Sequence, residues 1–194
     1  MPSRSPFFHI IPSLRAGGVG ILPTDTIYGI VGSALQKKTV ERIYRLRKRN
    51  PRKPMIVLVA DIRDLAQFGV SPNARAKNIL RKIWPDKVSV IMPIASSPAL
   101  KKFRYLHRGT KTLAFRMPKP AWLRALLKAT GPLVAPSANF EGKTPAKDIK
   151  AAKRFFGDRV DFYIDTGKLV ARPSTLIAIK EGKVEVLRRG AVKV

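Results

Sequence analysis

KTVERIYRLRKRNPRKPMIVLVA, from Lys38 to Ala60, carries the fold decision in one run. In its first half, Val40, Ile43, Tyr44 and Leu46 recur near helical spacing with charges around them, which predicts an amphipathic helix. Its last six residues, Met55 to Ala60, are apolar throughout and rich in β-branched side chains, the pattern of a strand buried on both faces. Between the two lies RLRKRNPRKP, Arg45 to Pro54, in which six of ten residues are Arg or Lys and none is acidic. Such a cluster repels itself unless an anion faces it. Helix, basic loop and two-sided strand in succession point to an α/β sheet protein with an anion site at a strand end.

The pattern extends outward in both directions. FFHIIPSLRAGG reads as a short helix ended by Gly17 and Gly18, and VGILP as a brief strand. SPNARAKNILRKIW reads as a helix with Pro72 near its first turn. VSVIMPI, TLAFRM and PLVA read as strands, with WLRALLKA and PAKDIKAAKRFF as helices around them. VDFYI, STLIAI and KVEVL close the chain as strands. The alternation predicts an α/β fold around a largely buried sheet. Without linker, repeat or low-complexity segment, residues 1–194 read as a single domain.

Composition narrows the function classes. The chain is 45% hydrophobic with a mean hydropathy of −0.09, enough to build a core. Lys and Arg number 39 against 12 Asp and Glu, a formal charge of +27, which favours nucleic acid or another polyanion as a partner. The charge is uneven: from Lys87 to Phe140 there is no acidic residue, while Lys101, Lys102, Arg104, Arg108, Lys111 and Arg116 all fall there. For any one of these, a solvated surface is the commoner reading. The absence of cysteine excludes disulfides, thiolate metal sites and thiol nucleophiles. MPSRSPFFHIIPSL lacks a signal-peptide pattern, and no apolar run nears the ~20 residues that span a bilayer, so a cytoplasmic protein without membrane contact is expected.

Two phosphate-binding motifs fail. GGVGILP has Pro23 where a dinucleotide fingerprint needs its third glycine, and SANFEGKT has Ser137 where a P-loop needs its first. His9 and His107 form no metal-ligand spacing, so no protein metal site is expected. Four polar clusters at the edges of apolar runs remain: PTDTIYG (Pro23 to Gly29), the basic RKRNPRKP, APSANFEG (Ala135 to Gly142), and PST with LRRG (Pro173 to Thr175, Leu187 to Gly190). Hydroxyls, an amide and guanidinium forks converging at strand ends suit a phosphate-bearing ligand. Each alone is also ordinary turn chemistry; Asp25, Ser137 and Asn139 are common turn formers.

In this order the clusters resemble the YrdC/TsaC family of L-threonylcarbamoyladenylate synthases. GGVGILPTDTIYGI, IYRLRKRNPRKPM, WPDKVSVIM, TLAFRMP, APSANFEG, STLIAI and VLRRGAV follow at family-like spacing from about Gly17 to Val192. The resemblance implies a twisted, open sheet flanked by helices with a concave basic face. It implies synthesis of threonylcarbamoyl-AMP from L-threonine, bicarbonate and ATP, with Mg2+ on the ATP and release of pyrophosphate. It further implies a partner enzyme that passes the threonylcarbamoyl group to tRNA as N6-threonylcarbamoyladenosine (t6A), and contact with tRNA or double-stranded RNA.

By position, the resemblance assigns Thr26, Arg116 and Ser174 to L-threonine, with Arg116 on its carboxylate. It assigns Arg49, Lys53, Thr112, Ser137, Asn139 and Arg188 to ATP, and Arg47, Arg49, Lys53, Ser137 and Asn139 to the reacting phosphate. Arg47, Arg49 and Lys53 are thus expected to face the nucleotide, and Arg45, Lys48 and Arg52 solvent or RNA. The chain departs from the family pattern at Arg47, where a lysine is usual, at Leu58, where a longer branch has histidine, and at Glu141 and Pro145. The competing expectation is a protein of the same fold that binds double-stranded or ribosomal RNA without catalysis, favoured by the net charge.

Overall fold

The computed structural model describes residues 7–180 and 182–194; the reading of MPSRSP lies outside them. Nine strands form one sheet: β1 (Gly20–Pro23), β2 (Tyr28–Ser33), β3 (Ile56–Leu58), β4 (Val88–Pro93), β5 (Thr112–Arg116), β6 (Leu133–Val134), β7 (Phe162–Tyr163), β8 (Thr175–Lys180) and β9 (Lys183–Arg188). Their order is β7-β1-β2-β6-β3-β5-β4-β8-β9. β1/β7, β3/β5 and β4/β8 pair parallel, and the other neighbours antiparallel. The helices are α1 (Ile11–Arg15), α2 (Lys37–Leu46), α3 (Ala74–Ile83), α4 (Ser97–Lys102), α5 (Arg104–His107), α6 (Ala121–Thr130) and α7 (Ile149–Phe156).

Side-chain parity divides the core. On β1 to β3, Ile21, Ile30 and Val57 belong to one buried cluster, and Leu22, Val31 and Leu58 to another on the opposite face. That is why these segments read as unbroken apolar runs. The larger cluster takes Val40 and Ile43 of α2, Leu80 of α3, Leu106 of α5 and Phe156 of α7. The smaller takes Leu14 of α1 and Leu123, Leu126 and Leu127 of α6. On β4 and β5 the two parities differ: Val90, Leu113 and Phe115 enter the larger cluster, while on the other face Ile91, Thr112 and Ala114 line open cavity between the buried Ser89 and Arg116 and the rim. α1 and α6 therefore leave the β5-β4-β8 part of their face bare, and the site lies there.

Three details differ from the sequence reading. YGIVGS forms a full strand, β2, where only a polar loop is expected; Gly29 and Gly32 dilute its apolar pattern, and Thr24–Ile27 is the hairpin turn joining it to β1. α3 starts at Ala74 with the Asn73 side chain capping Ala76 N, so Pro72 lies outside it. α7 starts at Ile149 with Asp148 accepting from Ala151 N, which leaves Pro145 in the preceding loop. α4, α5 and the 3-10 turn Ile62–Phe68 lack a sequence pattern long enough to declare them.

Candidate active site

The uncovered sheet surface carries two adjoining cavities. The smaller, about 120 Å³, is lined by Thr24, Thr26, Gly29, Arg116, Pro173 and Ser174 among others. The larger, about 370 Å³, is lined by Arg47, Arg49, Thr110, Thr112 and the sheet residues Ile91, Ala114 and Leu176. Ile56, Pro136, Ser137 and Arg188 line both, so the two spaces share a wall. Ile56, Ala114 and Ile91 stand in one cross-strand row, giving the larger cavity an apolar floor under a cationic rim.

The smaller cavity is built around a buried charge pair. Arg116 Nη2 lies 3.1 Å from Asp25 Oδ1, with side-chain exposures of only 4% and 2%. Arg116 Nε and Asp25 Oδ1 are shut from water and make no hydrogen bond. Burial lowers the Arg116 pKa, Asp25 opposes that, and Arg188 adds to it. The guanidinium at the end of β5 therefore retains donor capacity toward a second carboxylate. Thr26 is buried, 3.0 Å from the Thr24 hydroxyl, which donates to Ile27 O. Ser174 is buried with its hydroxyl 2.9 Å from that of Ser89.

The basic loop and the Ala135–Gly142 loop are tied together at the larger cavity. Arg47 is 2% exposed, and its Nε donates to Asn139 O at 3.1 Å. Its Nη2 donates to Ser137 Oγ at 3.1 Å and to Asn139 Oδ1 at 3.2 Å, while Nη1 is buried without a partner. Burial, aided by repulsion from Arg49, lowers Arg47 to about 10, so it stays charged at neutral pH. Asn139 Nδ2 donates to Phe140 O and Lys143 O, which leaves its amide wholly occupied in shaping the loop. Arg49 is held by Lys53 O and Pro54 O. Thr112 Oγ1 donates to Thr110 Oγ1 at 3.2 Å.

Arg188 reaches both cavities from β9, anchored by Nη2 to Ser174 O at 2.8 Å. Gly190 makes that approach possible: a Cβ there would meet Pro173 O and Thr175 N at 2.4 Å. PST and LRRG, remote in sequence, thus become one wall.

Nine of the ten singled-out residues gather here, eight as lining and Asn139 just behind it. Lys53 stands apart: its Nζ pairs with Glu141 Oε1 at 2.8 Å, and its side chain is 62% exposed. Glu141 also accepts from Asn50 N, the main cause of its lowered pKa. Arg45, Lys48 and Arg52 are exposed. Leu58 is buried under α6 and lines neither cavity. Sequence reasoning treated Asp25 only as a turn former and missed the apolar floor. The parity of TLAFR, which sets Thr112, Ala114 and Arg116 on one face, is the signal that could have revealed that floor.

The family model Sua5/YciO/YrdC, described as telomere recombination, matches residues 13–190.

The chain belongs to the Sua5/YciO/YrdC family.

It is 34% identical over 177 residues to a threonylcarbamoyl-AMP synthase of Thiobacillus denitrificans, covering 88% of this chain and 89% of that one. It is 31% identical over 185 residues to a threonylcarbamoyl-AMP synthase of Bacillus subtilis, covering 92% of this chain but 51% of that one. The crystal structure of Pyrococcus abyssi Sua5 complexed with L-threonine superposes with a TM-score of 0.82 at 26% identity, covering 94% of this chain and 53% of that one. The chain thus spans about half the length of the Bacillus and Pyrococcus members and most of the Thiobacillus one. The nine-stranded mixed sheet with flanking helices is the architecture of this family.

Proposed function

We propose that this chain is an L-threonylcarbamoyladenylate synthase, joining L-threonine, bicarbonate and ATP into threonylcarbamoyl-AMP with release of pyrophosphate, for t6A modification of tRNA. The observation that carries the reading is the shared wall: a small cavity lined by a buried guanidinium adjoins a larger one rimmed by Arg47, Arg49 and Arg188. At about 120 Å³ against about 370 Å³, the smaller cavity is the one scaled to threonine rather than to ATP. The Pyrococcus structure is a complex with L-threonine.

In this reading Arg116 takes the threonine carboxylate, and Thr26 and Ser174 face the rest of the amino acid. Threonine and bicarbonate combine to a carbamate with loss of water. A carbamate oxygen then bonds to the α-phosphorus of ATP, and the bond to the pyrophosphate oxygen breaks, that oxygen keeping the electron pair. Anion attacks anion, so fixed cations lower the barrier. In this reading Arg49, Arg188 and the free Nη1 of Arg47 supply those cations, supported by their position on the wall of the larger cavity with Ser137 and Thr112. Asn139 acts by holding Arg47 and its own loop, and Lys53 by tethering Glu141. Among the described residues no carboxylate lines either cavity, so Mg2+ is expected to arrive on the triphosphate and be held by its oxygens. A transferase partner and tRNA complete the pathway, and the charge of +27 supports an RNA partner.

The test is pyrophosphate release by the purified chain with ATP and Mg2+, omitting threonine or bicarbonate in turn. Release is expected only with both, and Arg49→Ala should cut it by roughly 10²–10³-fold, the scale of losing one transition-state donor. Pyrophosphate release independent of threonine would overturn the synthase reading, and none from a folded wild-type protein that binds RNA would replace it with a non-catalytic RNA-binding one.

A further inference from the structure

A third cavity, of about 420 Å³, lies between α2, α4 and α5. α2 and α5 pack into the larger core cluster, on the face of the sheet opposite the one lining the substrate cavities. Five cations line it, Lys37, Lys101, Lys102, Arg104 and Arg108, against one carboxylate, Glu41. The remaining lining residue is Tyr105, whose hydroxyl is spent on Ala34 O.

Arg108 forms its fixed base. Its backbone is left-handed at φ 52°, and its guanidinium lies 3.9 Å from the centre of the Tyr44 ring and 3.0 Å from Glu41 Oε1. Nε and Nη2 are shut from water without a hydrogen-bond partner. Lys37, Lys101, Lys102 and Arg104 are exposed around it. Glu41 is already engaged by Arg108, so among the described residues these four have no neutralising carboxylate in the lining. The substrate reading uses none of these residues.

We propose that this helical-face cavity is an RNA-backbone docking site, separate from the substrate cavities. Long-stemmed ammonium groups spread over two helices suit a run of phosphates better than a single small anion, which buried forks grip better. An acidic protein surface fits less well, because the lining offers no aliphatic or exposed aromatic anchor of the kind that carries protein interfaces. The site deepens the reading of RNA as a partner and stands or falls apart from the synthase activity.

The experiment measures affinity of the full chain for a tRNA transcript as a function of salt. The triple variant Lys101→Glu, Lys102→Glu, Arg104→Glu is compared with Lys150→Glu, Lys153→Glu, Arg154→Glu, which makes the same charge change on α7. The first should lose more than about tenfold in affinity and lower the salt slope by about 2–3, at roughly 0.7–0.9 per lost phosphate contact. The α7 variant should lose clearly less, and both should release pyrophosphate at the wild-type rate. A milder triple replacement by Gln guards against misfolding and should lie between wild type and the Glu variant. Equal losses in the two Glu variants would reduce the effect to net charge and overturn the site. So would a wild-type chain that binds no tRNA, or tripolyphosphate binding that needs these residues while tRNA binding does not.

Discussion

Asp25 and Arg116 carry the sharpest residue-scale consequence. Removing one partner of a buried pair leaves the other charge desolvated, which costs about 3–5 kcal/mol. Asp25→Asn keeps the shape and removes the charge, so it should lower stability on that scale without substrate. If Arg116 receives the threonine carboxylate, that carboxylate also restores the missing counter-ion. Threonine should therefore raise the thermal midpoint more in Asp25→Asn than in wild type. An equal shift in the two proteins would mean that threonine does not pair with Arg116. This partnership was not legible in PTDT, because a turn-forming aspartate and an ion-paired one look alike in sequence. Arg116 was singled out by the family resemblance of TLAFR, and the structure puts it at the end of β5 on the wall of the smaller cavity. Lys53, assigned to ATP by the same resemblance, is instead paired with Glu141 of a distant loop in the structure, a contact that no local pattern announces.

Among elements, those built on periodicity were readable and those built on backbone approach were not. α2 and β3 follow directly from Lys38 to Ala60, although β3 shrinks to three residues because its neighbours leave the ladder. β2 escaped because its glycines serve packing: Gly29 pairs with Ser137 across an isolated bridge, bringing the Ala135–Gly142 loop onto the site. Gly190 plays the matching part at the other wall, and its consequence can be measured. Gly190→Ala would drive a methyl into backbone at 2.4 Å, which no side-chain rotation relieves. The end of β9 must move, and Arg188 with it. The variant should lose activity chiefly through a raised KM for ATP, with the α/β core intact by circular dichroism. Unchanged kinetics would show that β9 does not have to lie against Pro173 and Ser174 for the site to work.

At the scale of the whole molecule, charge is the dominant fact. With 39 cations and 12 anions, most cations have no anionic neighbour; the described residues form six ion pairs, of which only Arg116–Asp25 is buried on both sides. Exposed pairs contribute about 0–1 kcal/mol each, so screening them costs little. Screening the repulsion among the remaining cations gains more, because the Debye length falls from about 10 Å at 0.1 M salt to about 3 Å at 1 M. Sodium chloride should therefore raise the midpoint of thermal unfolding across that range, the opposite of a protein held together by surface ion pairs. Tripolyphosphate at matched ionic strength separates the general effect from the sites. A multivalent anion bridging Arg47, Arg49 and Arg188 adds binding energy to screening, and its stabilisation should saturate with concentration and shrink in Arg49→Ala. A midpoint that falls with sodium chloride would mean that paired charges outweigh the repulsion. A tripolyphosphate effect no larger than the salt effect would mean that the three guanidinium groups do not act together on phosphate.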